Sequence, residues 1–403
     1  MRRLRTTSTR RLLTVLAFTA VLATTAAVAR AALTGSGPVP APKALAQAIN
    51  DAIGAPEPDG VTARITFSNN LLPSGSLPGA SSALTSGAKG RLWLTKDGRL
   101  RLELQSSSGD AQLTVDKDQV SLFDASSNTV YRATLPKAAA DAKPEPAQHE
   151  NPTLAKIQDA LDHVAKMWTT SGAEPGTIAD RPAYTVRIAP KDDGGLLGAA
   201  KVAWDAVTGV PLRAAVYAQG QDSPVLELEA TDISYGAVSD ADVSASAPGD
   251  AKVVDLSPKD SAAGKDSHAH AAGAHADEAA TVDEVAKQVD FALAAPDKLA
   301  GLPRQGVHAV DLDGTKGALV TYGKGLGAIV VFQHKVDATK ADAKPQRGGR
   351  DNPLPQINID GATGTEIATA LGTVVTFERG GVAYVVAGSV PPLAAENAAR
   401  GLR

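Results

Sequence analysis

Residues 90–104 read Gly90-Arg91-Leu92-Trp93-Leu94-Thr95-Lys96-Asp97-Gly98-Arg99-Leu100-Arg101-Leu102-Glu103-Leu104. Strict alternation on both sides of Lys96-Asp97-Gly98 marks two half-buried antiparallel strands and a turn. The turn length sets the register. A two-residue Asp97-Gly98 turn would oppose Leu94 to Arg101 and mix the faces. A three-residue Lys96-Asp97-Gly98 loop opposes Thr95 to Arg99, Leu94 to Leu100 and Leu92 to Leu102. Opposed residues share a face, so only the longer loop gathers Leu92, Leu94, Leu100, Leu102 and Leu104 on one side. It requires Gly98 in the left-handed region. Arg91, Thr95, Arg99, Arg101 and Glu103 take the other side. Periodicity alone suits the leucine face to a sandwich core or to an apolar ligand cavity.

Outward from this hairpin the pattern stays strand-rich. A short helix through Leu45, Ile49 and Ile53 and a strand over 61–67 precede it. Strands over 111–116, 119–124 and 129–135 follow. Then comes one helix, with Asn151 as N-cap and Pro152 in the first turn. Leu154, Ile157, Leu161, Val164 and Trp168 recur at three- and four-residue steps and should share one buried face. Strands resume over 183–188, 201–205, 212–218, 225–230 and near 233–235. Between the first strand and the hairpin, residues 71–87 (LLPSGSLPGASSALTSG) hold prolines and glycines that deny regular structure. Their Leu71, Leu72, Leu77 and Leu84 are more apolar than a plain linker needs, which suggests a lid over an apolar mouth.

Residues 258–280 (PKDSAAGKDSHAHAAGAHADEAA) contain no Val, Leu, Ile or aromatic residue and cannot join a core. They set the expected organisation: a domain over 42–256, a linker over 257–280 and a smaller domain over 281–403. The second domain opens on Thr281-Val282-Asp283-Glu284, a capping box, with a helix expected to Ala294. Strands over 307–312, 318–322, 328–336, 374–378 and 382–387 and a closing helix over 392–402 complete an α+β unit.

The first residues bound the compartment. Arg2, Arg3, Arg5, Arg10 and Arg11 precede an apolar run over 12–28, and Ala27-Val28-Ala29 offers a cleavage site. Residues 1–31 are therefore expected to be a signal peptide or N-terminal anchor, with the remainder secreted or held at the outer face of the cytoplasmic membrane. Thr9-Arg10-Arg11-Leu12-Leu13 is a weak twin-arginine signature. The chain has no cysteine, which excludes disulfides, a cysteine-linked lipid and thiolate chemistry. A net charge of −4 and 4% aromatic residues argue against nucleic acid as a partner and against aromatic sugar platforms.

Motifs for chemistry reduce to ordinary structure. His268, His270 and His275 lie in the linker-like stretch without a carboxylate to orient the rings. No metal or cofactor is expected. Asp192-Asp193 and Asp240/Asp242 sit beside Gly or Ser, where turn chemistry suffices. The glycine clusters at 324–327 and 348–349 lack the strand-to-helix setting of a phosphate loop and read as hairpin turns. There is no Gly-x-Ser-x-Gly elbow and no His-Glu-x-x-His, so no catalytic residue is assigned.

A family resemblance adds to this reading. Gly90-Arg91-Leu92-Trp93-Leu94 through Arg101, Leu113 to Phe123 with Val130-Tyr131, Arg181-Pro182-Ala183-Tyr184-Thr185-Val186, and Val202-Ala203-Trp204-Asp205 through Thr208-Gly209-Val210-Pro211-Leu212-Arg213 resemble LolA-type lipoprotein carriers and MucB/RseB-type envelope regulators. The resemblance covers about half the chain. It implies a strongly curved, unclosed antiparallel half-barrel with a plugging helix. In that picture Leu92, Leu94, Leu100, Leu102, Leu104, Leu154, Ile157, Leu161 and Trp168 line an apolar cavity for the acyl chains of a lipid or acylated lipoprotein, under the leucine lid. The alternative it implies is an envelope-stress regulator that binds an anti-sigma factor or other membrane-bound protein. A second domain after a carrier-like one is similar to the MucB/RseB arrangement.

Overall fold

The computed structural model describes residues 38–72, 82–134, 152–191, 195–244, 247–256, 281–312, 315–336 and 355–403. They fall into two compact units, one built from most of 38–256 and one from 281–403 together with Leu72 and residues 195–197. The chain is mainly β, with short helices, rather than an even α+β mixture.

The first unit contains α1 (Leu45–Gly54), β1 (Gly60–Asn69), α2 (Ala83–Ser86), β2 (Ala88–Thr95), β3 (Leu100–Gln105), β4 (Ala111–Asp116), β5 (Gln119–Asp124) and β6 (Thr129–Thr134). It continues with α3 (Leu154–Val164), β7 (Trp168–Thr170), β8 (Glu174–Ile178), β9 (Arg181–Pro190), β10 (Leu197–Asp205), β11 (Pro211–Ala218), β12 (Leu226–Tyr235), α4 (Asp240–Val243) and β13 (Lys252–Asp255). The thirteen strands make one curled, unclosed sheet ordered β13-β6-β5-β4-β3-β2-β1-β12-β11-β10-β9-β7, with β8 also on β9. β13 runs parallel to β6, whereas β6 through β1 to β12 and β11, and β9 with β10, β7 and β8, pair antiparallel.

The hairpin at the centre has the register required to collect the leucines. Leu92 opposes Leu102 and Leu94 opposes Leu100. Thr95 N–H donates to the Arg99 carbonyl at 2.9 Å, and Gly98 sits at φ +88°. On β1, Val61, Ala63, Ile65 and Phe67 are buried while Arg64 between them is exposed. The alternation that marks these strands in sequence is therefore the alternation of two faces.

Two expectations about helices fail. The helix ends at Val164, and Trp168 belongs to β7, opposite Pro190. Ala165 to Met167 form a turn, and the β-branched Thr169 and Thr170 favour the extended chain. Nor does α3 supply the apolar cluster on the sheet. Leu154 is 45% exposed, Val164 is exposed, and only Ile157 is buried. Instead α1 brings Leu45, Ala48, Ile49 and Ala52 against Tyr184, Val186 and Trp204 of β9 and β10, and α3 lies beside α1.

The second unit contains α5 (Val282–Ala286), β14 (Lys298–Leu299), β15 (Leu302–Leu312), β16 (Thr315–Tyr322), β17 (Ile329–Lys335), β18 (Gln356–Ile359), β19 (Ala362–Thr369), β20 (Gly372–Arg379), β21 (Val382–Gly388) and α6 (Pro392–Gly401). Its eight strands are antiparallel in the order β14-β15-β16-β17-β21-β20-β19-β18. The capping box at Thr281 and Glu284 is present, but the helix stops at Ala286 instead of reaching Ala294. Buried Gln333 takes over: its side-chain amide donates to the Ala294 carbonyl at 2.7 Å and its carbonyl accepts Ala294 N–H at 2.9 Å. Both backbone groups of Ala294 are thereby spent outside a helix. Val289 and Leu293 still pack on the core beside Val285, so the apolar spacing is satisfied by an irregular segment.

Candidate functional site

The two faces of β1–β3 differ in kind. On one, Leu92, Leu102 and Leu104 are buried with Ala63, Ile65, Phe67, Ala111 and Leu228, and Leu94 and Leu100 pack against them. Ala83 and Leu84 of α2 join the same cluster. Ser82 caps this short helix by accepting from Leu84 N–H at 3.2 Å, so 83–86 is helical where an irregular loop was expected. Of the four proposed lid leucines, Leu84 is thus in the packed cluster. Leu71 and Leu72 are half-buried, and Leu77 lies outside the described residues. The plugging set divides: Ile157 is buried, Leu161 and Trp168 are half-buried and Leu154 is exposed.

The other face carries an open groove of about 410 Å³ lined by Arg64, Thr66, Lys89, Arg91, Glu103, Gln105 and Thr231, with backbone from Ile65 and Gly90. None of the hairpin leucines lines it. Arg64 stands directly opposite Arg91 and Thr66 opposite Lys89, while Glu103 opposes Arg91 and Gln105 opposes Lys89. The register between β1 and β12 shifts at Arg64/Ile65, and the extra residue is Thr231, whose hydroxyl donates to the Arg64 carbonyl at 3.3 Å. Gly90 is fixed by contact: a Cβ there would sit 2.0 Å from the Glu103 carbonyl oxygen.

Two further charged clusters lie in the same sheet. Asp205, fully buried, accepts from Arg181 Nε at 2.7 Å, Tyr235 OH at 2.7 Å, and the Val207 and Thr208 amides at 2.8 and 3.2 Å. Burial alone would push this carboxyl up, but the four donors outweigh it and hold it below the usual carboxylate range. Gly209 at φ +71° closes the turn that positions them. In the second cluster Arg213 holds Glu227 and, at 3.0 Å, Glu229, while Lys201 lies over the Tyr217 ring. Burial, reinforced by Glu227, pushes the Glu229 carboxyl up although Arg213 opposes the shift.

The other residues considered for chemistry have structural employment or fall outside the description. Asp242 completes a capping box with Ser239, and Asp240 accepts from Arg99 at 2.6 Å. The 324–327 cluster turns the chain between antiparallel β16 and β17. His268, His270, His275, Asp192-Asp193, Gly348-Gly349 and residues 1–31 lie outside the described residues. Among the described residues no group of three His, Asp or Glu could hold a metal ion, and no helix is long and apolar enough to cross a membrane.

The chain is similar in structure to MucB. MucB solved in complex with MucA(peri) shares 16% identity over 89% of this chain and 98% of its own, with a TM-score of 0.38. The Pseudomonas aeruginosa MucA/MucB complex gives 16% identity, 88% and 96% coverage and a TM-score of 0.40. A LolA superfamily protein from Nitrosomonas europaea matches 50% of this chain and 98% of its own at 11% identity, with a TM-score of 0.21. No family model matches the chain, and no curated protein matches it in sequence.

Sequence reading missed Arg64, Lys89, Gln105 and Thr231 as a group. Arg91 and Glu103 were assigned to the hairpin's polar side and given no role. The available signal was Lys89 and Arg91 at alternate positions of one strand and Arg64 on its neighbour, and their juxtaposition becomes visible only when the pairing is known. Arg181, Asp205 and Arg213 carried the family resemblance without an assigned function.

Proposed function

We propose that the chain is an exported, non-catalytic envelope regulator of the MucB/RseB type, which binds a membrane-bound regulatory protein such as an anti-sigma factor. The observation that carries this reading is the contrast between the faces of β1–β3. The leucine face is occupied by its own side chains, whereas the charged face holds an open groove. An acyl carrier needs the reverse, because each buried methylene is worth only about 0.8 kcal/mol and a chain must displace packed leucines to enter. A groove rich in guanidinium and amide groups suits the polar backbone and side chains of another protein.

In this reading residues 1–31 direct export, 42–256 form the carrier-like binding domain, 257–280 link it to the domain over 281–403, and the protein works outside the cytoplasm. The acyl-carrier reading is the second one, and it makes Leu92, Leu94, Leu100, Leu102, Leu104, Ile157 and Leu161 the residues that would part around an acyl chain. Native mass spectrometry of the protein recovered from its own cell envelope separates the two. A stoichiometric co-purified membrane protein is the expected result. Co-purified lipid or lipoprotein without a protein partner would transfer the chain to the carriers.

A further inference from the structure

We infer that the groove over β1–β3 is a docking site for an extended acidic segment of the partner protein, read by Arg64, Lys89 and Arg91. The inference rests on the regulator reading and names the part of the partner that this site would take.

The first ground is uncompensated charge. Arg64 and Arg91 are directly opposed on neighbouring strands, an arrangement that normally costs stability. Lys89 lies on the same face two residues along β2. Among the described residues Lys89 and Arg91 have no ion-pair partner, and Arg64 reaches only Asp232, at 3.9 Å with both side chains two-thirds exposed. The groove's own carboxylate does not neutralise them, because Glu103 is paired with Arg101. In the same sheet the buried carboxylates are matched, Asp205 to Arg181 and Glu227 to Arg213. Around the groove two unpaired cations and one loosely paired arginine gather on adjacent strands.

The second ground is the irregularity at the site. The bulge at Thr231 falls beside Arg64, and bulges increase the local twist and re-aim side chains. Thr66, Gln105 and Thr231 add neutral hydrogen-bonding groups around the groove.

Spacing favours a peptide. Lys89 and Arg91 are consecutive same-face positions of a strand, about 6.6 Å apart at about 3.3 Å per residue. Carboxylates at alternate positions of an extended chain have the same repeat. Each arginine fork can take one carboxylate through two parallel hydrogen bonds. A single phosphate would need the cations converged on one point instead of ranged along two strands.

The test uses the full-length mature protein and a synthetic peptide of alternating Glu and Ser, with an alternating Gln and Ser peptide as control. Isothermal titration at low ionic strength should show binding of the acidic peptide alone. Affinity should fall at least about tenfold in Arg64→Gln/Arg91→Gln and drop steeply with added salt. Both positions are exposed, and an unchanged melting temperature would establish that the variant is folded. No binding of the acidic peptide, or equal binding by the variant, overturns the inference. So does tighter binding of inorganic phosphate or phosphatidylglycerol vesicles than of the peptide, which would make the groove a phosphate or headgroup site. If the native partner still co-purifies with the variant, the groove is not the docking site while the regulator reading stands. If the wild type yields no protein partner, the regulator reading itself falls.

Discussion

The Asp205 cluster and the Arg64–Arg91 groove belong to one sheet and use the same residue types to opposite ends. Around Asp205 the donors and acceptor close on one another: a fully buried carboxylate is met by a guanidinium, a phenol and two backbone amides. The cluster ties β9, β10 and β12 together and leaves nothing to offer a ligand. In the groove, two arginines and a lysine face solvent on β1 and β2; Lys89 and Arg91 have no ion-pair partner among the described residues, and Arg64 has only the loose contact with Asp232. Internal neutralisation is what a fold needs, and its local absence is what a binding surface needs. The comparison teaches that charge content alone does not separate a closed cluster from an open one; the pairing of the charges does.

The comparison breaks first at Asp205. Asp205→Ala should cost about 3–5 kcal/mol in denaturant unfolding, because it leaves Arg181 and Tyr235 desolvated without their acceptor. A loss below about 1 kcal/mol would mean that the cluster is not a structural tie. Leu102→Ala tests the opposite face of the hairpin. A packed core predicts a loss of about 2–5 kcal/mol. An unchanged stability together with altered retention of a fluorescent acyl probe would favour the carrier.

Acid sharpens the first of these results. The Asp205 carboxyl is held below its ordinary value in the folded protein, so its contribution is fully present above about pH 3.9. It is lost as the pH falls through that value and below, because the unfolded chain then binds the proton first. Wild type should therefore lose stability on acidification more steeply than Asp205→Asn, by less than the whole effect of Asp205→Ala. Parallel curves for the two proteins would contradict the assignment. Glu229 works in the other direction. Its carboxyl is pushed up, so stability falls as the pH rises from about 4.3 through the folded value. Glu229→Gln should flatten that limb.

Gly98→Ala should cost about 1 kcal/mol, since φ +88° is strained for any side chain. The smallest effect is expected in the groove. Arg91→Gln should leave stability within about 0.5 kcal/mol, with any change a gain at low salt that disappears near 1 M, where screening acts within about 3 Å. A destabilisation as large as that of Asp205→Ala would show that Arg91 is structural and would erase the contrast between the two regions.

Much of the fold was legible because strands write their two faces into adjacent residues. β4 and β5 begin and end where alternation placed them, at Ala111–Asp116 and Gln119–Asp124. The hairpin register followed from the requirement that its leucines share a face. Strands without large apolar residues at alternate positions escaped notice. β8 (Glu174–Ile178) contains Pro175 and Gly176, and β19 (Ala362–Thr369) consists mostly of small and polar residues; both are held by pairing with the strands next to them. The helices were over-extended for one reason. Three- and four-residue apolar spacing records which side chains need burial, and Trp168 and Leu293 obtain it without helical backbone.

By itself, then, the sequence determined the strand-rich architecture, the leucine hairpin with its Gly98 turn, and the Thr281–Glu284 capping box, because each depends on residues within a few positions of one another. Tertiary structure alone decided which helix sits on the sheet, where the Ala294 backbone finds its partners, and which cations stay unmatched. Those outcomes depend on the register between paired strands: Arg64 meets Arg91, Arg181 meets Asp205 and Arg213 meets Glu227. Charge compensation is a property of neighbours in space, and no spacing along the chain encodes it.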